Sequence, residues 1–246
     1  MKTFKIELTN EKANLTVYLP DASPEMGRMK IRPGVLVIPG GGYSMCSDRE
    51  AEPIAFSFLA KGYAAFVLRY TVGPAKEGYD FSMPMADVNE AMKIIHDNAE
   101  EWSVNKEKIA AIGFSAGGHL CAAVSTMGDI RPNASILIYP CILDSISKIL
   151  AFPVPSLDKE VDEKTPATII VASREDGCVP IVNSLAYAVA LEKANIPFEM
   201  HIYEKGYHGF SLADYTVYSK AEEEYNAHLK GWFELCATWL YKRFEM

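Results

Sequence analysis

Short apolar runs recur along this chain, and stretches with helical spacing stand between them. That alternation is the strongest constraint on what the sequence can fold into. Residues 35–38, 64–68, 109–112, 134–139, 167–172 and 198–203 read as strands. Residues 50–61, 84–100, 116–125, 182–194 and 221–244 read as helices. A strand that is apolar on both faces must be covered on both faces. Strands of this kind separated by helices predict a mostly parallel α/β sheet with helices on either side. Residues 2–8 and 14–19 alternate in polarity instead, so they predict an antiparallel N-terminal edge, turning near Asn10-Glu11. Residues 20–33, rich in Pro, Gly and polar side chains, predict a loop. No internal repeat and no Pro/Ser-rich linker divides the sequence. With 246 residues, 49% of them hydrophobic, one domain over 1–246 is expected.

Composition narrows the partners. The net charge is −8 and no run of Lys or Arg offers a basic footprint, so no nucleic-acid partner is expected. The five cysteines, Cys46, Cys121, Cys141, Cys178 and Cys236, include no CxxC pair. Neither a zinc site nor a disulfide framework is expected, and a reduced, cytoplasmic setting is. No run approaches the ~18 apolar residues of a membrane span, and residues 1–7 alternate like a strand, not like a signal peptide. No membrane partner is expected, and the oligomeric state is left open.

Three motifs carry chemistry. Gly113-Phe114-Ser115-Ala116-Gly117 is G-x-S-x-G at the end of one predicted strand and the start of a helix. A sharp strand–turn–helix exposes the serine hydroxyl, and only small neighbours leave room for the turn. Upstream, Pro39-Gly40-Gly41-Gly42-Tyr43 follows another strand. Its glycines allow backbone N–H groups to approach a developing oxyanion closely. Gly41 and Gly42, with Ala116 after the serine, are the candidate donors. A serine nucleophile also needs a base and a carboxylate to orient it. His208, in Gly206-Tyr207-His208-Gly209-Phe210, lies just past the last predicted strand, where an open α/β sheet places its site. Asp176 follows the strand at 167–172. Glu175 and Asp144 are alternative acids, and His119 is expected to pack or hydrogen-bond near the site.

Together with Leu68-Arg69-Tyr70, Gly118-His119-Leu120 and the segment from Asp176 to Pro180, these motifs resemble the α/β-hydrolase superfamily over nearly the whole chain. The sequence looks most like the small esterases grouped with acetyl-xylan esterases, sugar-ester deacetylases and hormone-sensitive-lipase-like carboxylesterases. The resemblance implies a triad in the chain order Ser115, Asp176, His208. It also implies hydrolysis of short-chain esters, acetyl foremost, on a small-molecule or oligosaccharide substrate, with neither metal nor organic cofactor. A formamide or peptide substrate for the same triad is the alternative. The lipase-like oxyanion motif begins with His where this chain has Pro39, which suits the sugar-esterase group. The insertion at about 140–166 is short, so a minimal cap and an open site are expected. Tyr43, Arg49, Tyr70 and Tyr207 are the candidates for lining the pocket, with Glu50 near its mouth.

Overall fold

The computed structural model describes residues 1–246, the side chain of Arg28 excepted. Eight strands form one sheet in the order β1-β2-β4-β3-β5-β6-β7-β8. They are β1 (Lys2–Glu7), β2 (Asn14–Leu19), β3 (Arg32–Ile38), β4 (Ala64–Arg69), β5 (Val104–Phe114), β6 (Ala134–Ile138), β7 (Thr168–Ser173) and β8 (Phe198–Tyr203). β1 pairs antiparallel with β2, and β2 with β4; every other pairing is parallel. The six helices are α1 (Glu52–Ala60), α2 (Ser82–Asp97), α3 (Ser115–Met127), α4 (Val182–Lys193), α5 (Lys220–Asn226) and α6 (Trp232–Arg243). The alternating segments thus make the antiparallel edge, and the continuous apolar runs make the parallel body.

The continuous runs are explained by two cores. Within β3, Leu36 and Ile38 face one side, while Val35 and Val37 face the other. The first core holds Phe66, Leu68, Ala111 and Leu137 against Val88, Met92 and Ile95 of α2, Leu120 and Val124 of α3, and Tyr187 and Leu191 of α4. The second holds Ala65, Val67, Ile112, Ile136 and Val171 against Ile54 and Phe58 of α1 and Trp232, Cys236 and Leu240 of α6. Period-two side chains on a sheet covered twice must be apolar at every position. Each such Val, Leu or Ile contributes roughly 1.5–3 kcal/mol by leaving water.

Two elements differ from the sequence reading. β5 begins five residues before the apolar run, because Val104 pairs with Arg32 and a bulge then re-registers the strands at Gly34 and Ile109. The helix expected over 221–244 is interrupted: α5 ends at Asn226, a 3-10 turn covers Ala227–Leu229, and α6 begins past Gly231. Tertiary hydrogen bonds fix the break. Buried Asn226 accepts the Tyr207 N–H through Oδ1, and His228 Nε2 donates to the Lys205 carbonyl. The chain is thereby tied to the loop that carries His208. Among the described residues no helix is long and apolar enough to cross a membrane.

Phe58 has no exposed surface and its ring meets Tyr63 and Phe233 edge-on. Phe58→Ala should destabilise the protein by about 3–5 kcal/mol in urea unfolding. A loss below about 1 kcal/mol would contradict the packing described.

Candidate active site

Ser115 is the first residue of α3 and follows the last residue of β5. Its φ is 53°, a conformation that disfavours a side chain. The turn exists because its flanking glycines allow backbone contact. A Cβ on Gly113 would lie 2.2 Å from the Gly117 carbonyl oxygen, and one on Gly117 would lie 2.2 Å from the carbonyl oxygens of Ile38 and Pro39. The start of α3 is thus pressed onto the end of β3, where the glycine-rich loop begins.

His208 comes from the loop after β8 and Asp176 from the loop after β7. Their side chains meet Ser115 as a continuous chain: His208 Nε2 is 2.8 Å from Ser115 Oγ, and His208 Nδ1 is 2.6 Å from Asp176 Oδ2. The other Asp176 oxygen accepts the N–H groups of Cys178 and Val179 at 2.8 and 2.9 Å. The remaining Asp176 oxygen accepts the Nδ1–H of His208, which leaves the Nε2 lone pair facing the serine hydroxyl. The alternative acids lie elsewhere: Glu175 is 3.8 Å from Arg174 and faces the Tyr225 hydroxyl, and Asp144 pairs with Lys159.

The glycine loop is held by its carbonyls. Gly40 O accepts from Ser47 N, Gly41 O from Ser44 N and Met45 N, and Gly42 O from Ala151 N. Among the described residues the N–H groups of Gly41, Gly42 and Ala116 have no internal acceptor. Gly41 and Gly42 have φ of 128° and 64°, which glycine alone adopts easily. A Cβ on Gly40 would lie 3.0 Å from that of Ser115, so the loop borders the serine. Free amides on a helix N-terminus and a fixed loop can meet negative charge without reorganising.

The pocket residues require correction. Tyr43 and Tyr70 are 0% and 1% exposed and line no opening. The Tyr70 hydroxyl donates to the Pro39 carbonyl at 2.8 Å, and the Tyr43 hydroxyl lies 2.9 Å from His119 Nδ1. Both brace the glycine loop from beneath. Arg49 is exposed, with its guanidinium 5.8 Å from the Tyr218 ring and an Nη atom 3.4 Å from where a Gly209 Cβ would be. It therefore borders the histidine loop. Tyr207 is 52% exposed and stacks face to face on Tyr225 at 4.2 Å. Met45 and Ile149 are also exposed, and the Ile149 carbonyl is 3.7 Å from a Cβ placed on Gly42. The insertion itself consists of the 3-10 turns Asp144–Ile149 and Leu157–Lys159 with connecting loops. Glu50, expected near the mouth, is 3% exposed and lies beneath the site. Sequence reasoning also missed Tyr139 and Cys141, which follow β6 beside the serine. Burial pushes the Cys141 thiol up to about 12, so it stays neutral.

His119 is fully buried. Its Nε2 donates to the Pro155 carbonyl at 2.9 Å, which leaves Nδ1 to accept from Tyr43. Burial holds the imidazole down at about 4, against about 6.5 in an open chain. Between those values the unfolded chain binds a proton that the folded one does not. Stability is therefore lost as pH falls from about 6.5 to about 4, by up to about 3 kcal/mol. His119→Gln removes the titration. In urea unfolding, the wild type should lose about 2 kcal/mol more than the variant between pH 7 and pH 4.5. Equal losses would contradict a neutral buried imidazole.

Residues 15–136 match the family BD-FAE, and residues 152–234 match the prolyl oligopeptidase family. MGS-M1, described as an α/β-hydrolase enzyme from a Medee basin deep-sea metagenome library, is 42% identical; the match covers 100% of this chain and 99% of that one, with a TM-score of 0.93. An acetyl ester-xyloside bifunctional hydrolase from Caldicellulosiruptor lactoaceticus is 31% identical over 95% of this chain and 88% of that one, with a TM-score of 0.79. The acetylxylan esterase of Xylanibacter ruminicola is 33% identical over 88% of this chain and 48% of its own length. This chain spans a third to about half the length of the curated relatives it matches first. The elbow at Ser115, the parallel sheet beneath it and these full-length likenesses agree: the chain belongs to the α/β-hydrolase family.

Proposed function

We propose that this chain is a serine carboxylesterase that removes short acyl groups, acetyl foremost, from carbohydrate esters. The observation that carries the reading is the unbroken Asp176–His208–Ser115 hydrogen-bond chain beside the unused amides of Gly41, Gly42 and Ala116. Ser115 Oγ attacks the ester carbonyl as its proton passes to His208 Nε2. The carbonyl oxygen takes the electron pair and is held by the three amides. On collapse, the alcohol leaves with the proton from His208. Water, deprotonated by the same nitrogen, then releases the acid and restores Ser115. Asp176 keeps the imidazole tautomer in place and stabilises the imidazolium. Every step uses groups of this chain and water.

The choice of carbohydrate esters is supported by the likenesses to an acetylxylan esterase and an acetyl ester-xyloside hydrolase. The short, capless insertion also suits a polar or oligomeric alcohol better than a long acyl chain. All five cysteines are unpaired, which suits a reducing compartment. The match of residues 152–234 to the prolyl oligopeptidase family favours a second reading, amide hydrolysis by the same three residues.

Ser115→Ala should reduce p-nitrophenyl acetate turnover by about 10⁴-fold or more, and Asp176→Asn by about 10³–10⁴-fold. Wild-type-like turnover in Ser115→Ala would overturn the mechanism. On a panel of acetylated xylo-oligosaccharides, nitrophenyl esters from acetyl to octanoyl, N-formylkynurenine and peptide anilides, kcat/KM should be highest for the acetylated sugars. A maximum on the formamide or the anilide would replace the ester reading with the amide one.

A further inference from the structure

Glu50 is a buried carboxylate that the mechanism above leaves unused. None of the ion pairs among the described residues includes it. Burying a charge without a cation is strongly unfavourable unless hydrogen bonds satisfy it. Here each oxygen has a donor. Oε2 accepts the N–H of Gly40, the residue that precedes the two candidate oxyanion amides, at 2.8 Å. Oε1 accepts the Tyr139 hydroxyl at 2.7 Å.

The chain of contacts continues to the histidine. The Tyr139 oxygen accepts the Ser211 N–H at 3.1 Å, and the Tyr139 ring meets His208 edge-on at 5.0 Å. Ser211 Oγ donates back to the carbonyl of Arg49. A Cβ on Gly209 would lie 4.0 Å from Glu50 Oε1. One carboxylate therefore joins the loops after β3, β6 and β8. Tyr139 and Ser211 have φ of 38° and 43°, strained values that persist only where the surroundings over-determine them.

We propose that Glu50 is a positioning residue. Its ionised carboxylate locks the oxyanion loop to the histidine loop and places a second negative charge behind His208, which stabilises the imidazolium formed during acyl transfer. The proposal rests on the roles given above to Ser115 and His208. The charged and titratable groups facing Glu50 are Tyr139 from the loop after β6, His208 and Tyr218 from the segment after β8, Tyr70 from the end of β4, and its neighbour Arg49. Burial holds the three tyrosines well above their usual range, so they stay neutral in the working range. Burial also pushes the Glu50 carboxyl upward, against the pull of Tyr139, Gly40, His208 and Arg49.

The experiment compares the wild type, Glu50→Gln, Glu50→Asp and Tyr139→Phe on p-nitrophenyl acetate from pH 5 to 9, with fluorophosphonate labelling and thermal melts. Glu50→Gln keeps the shape and loses the charge. Its kcat should fall about 10–100-fold with KM within about threefold. The acid limb of its kcat/KM profile should move to lower pH by about half a unit or more, because an anion that favours the protonated imidazole has gone. Glu50→Asp should return the limb to the wild-type position while kcat stays low. A purely structural Glu50 would lower the melting temperature and leave the limb in place; that result overturns the proposal. Should Glu50→Gln fail to fold, Tyr139→Phe is to lower kcat at least about fivefold with a wild-type melt, and unchanged kcat there overturns the proposal. A wild type that is labelled at Ser115, with an unmoved limb in Glu50→Gln, defeats this inference alone. A wild type that neither labels nor hydrolyses the ester defeats the esterase reading and this inference together.

Discussion

Everything at the site depends on one close approach, that of the first turn of α3 to the carboxyl end of β3. The Gly117 backbone lies where a single added carbon would overlap the carbonyl oxygens of Ile38 and Pro39. Because of that contact, the turn carrying Ser115 and the loop carrying Gly41 and Gly42 form one rigid piece. The distance between a nucleophile and its oxyanion donors must hold to a fraction of an ångström. Here the separation of Ser115 from Gly41 and Gly42, the proposed nucleophile and donors, is set by backbone against backbone, without flexible side chains between them.

The two cores supply the pressure behind that contact. Leu120 and Val124 anchor α3 on one side of the sheet, and Phe58 and Ile54 anchor α1 on the other. The glycine loop between β3 and α1 is braced by polar groups: Tyr70 at Pro39, His119 through Tyr43, Ala151 at Gly42, and Glu50 at Gly40. Buried polar groups that are all paired rigidify a structure. A loop of three glycines would be floppy in isolation and is fixed here by its neighbours.

What the sequence revealed follows from the range of each signal. The parallel body, the antiparallel edge and the serine turn rest on short-range patterns, and those patterns hold in the fold. Asp176 and His208 could be named because each follows a legible strand into a short loop, and the structure brings both to Ser115. Tyr43 and Tyr70 were misplaced because an aromatic residue after a strand does not reveal which way its ring turns. The break after Asn226 was invisible because helical spacing continues across it, while its cause lies at Lys205 and Tyr207. Glu50 was expected near the pocket mouth, since its partners Gly40 and Tyr139, and Ser211 beyond Tyr139, are scattered over 172 positions of sequence.

Of the eight non-glycine residues at positive φ, Tyr43, Ser115, Tyr139 and Ser211 lie around the site, past the carboxyl ends of β3, β5, β6 and β8. Each is held by several others, so none can drift alone. The exposed side chains of Met45, Ile149 and Tyr207 stand on the same rim and share none of the internal hydrogen-bond chain that joins Glu50 to Tyr139. The rim is thus divided into a frozen inner ring and a free outer one. A descendant of this chain could acquire a new leaving-group preference by changing the outer ring, with the chemistry inherited intact.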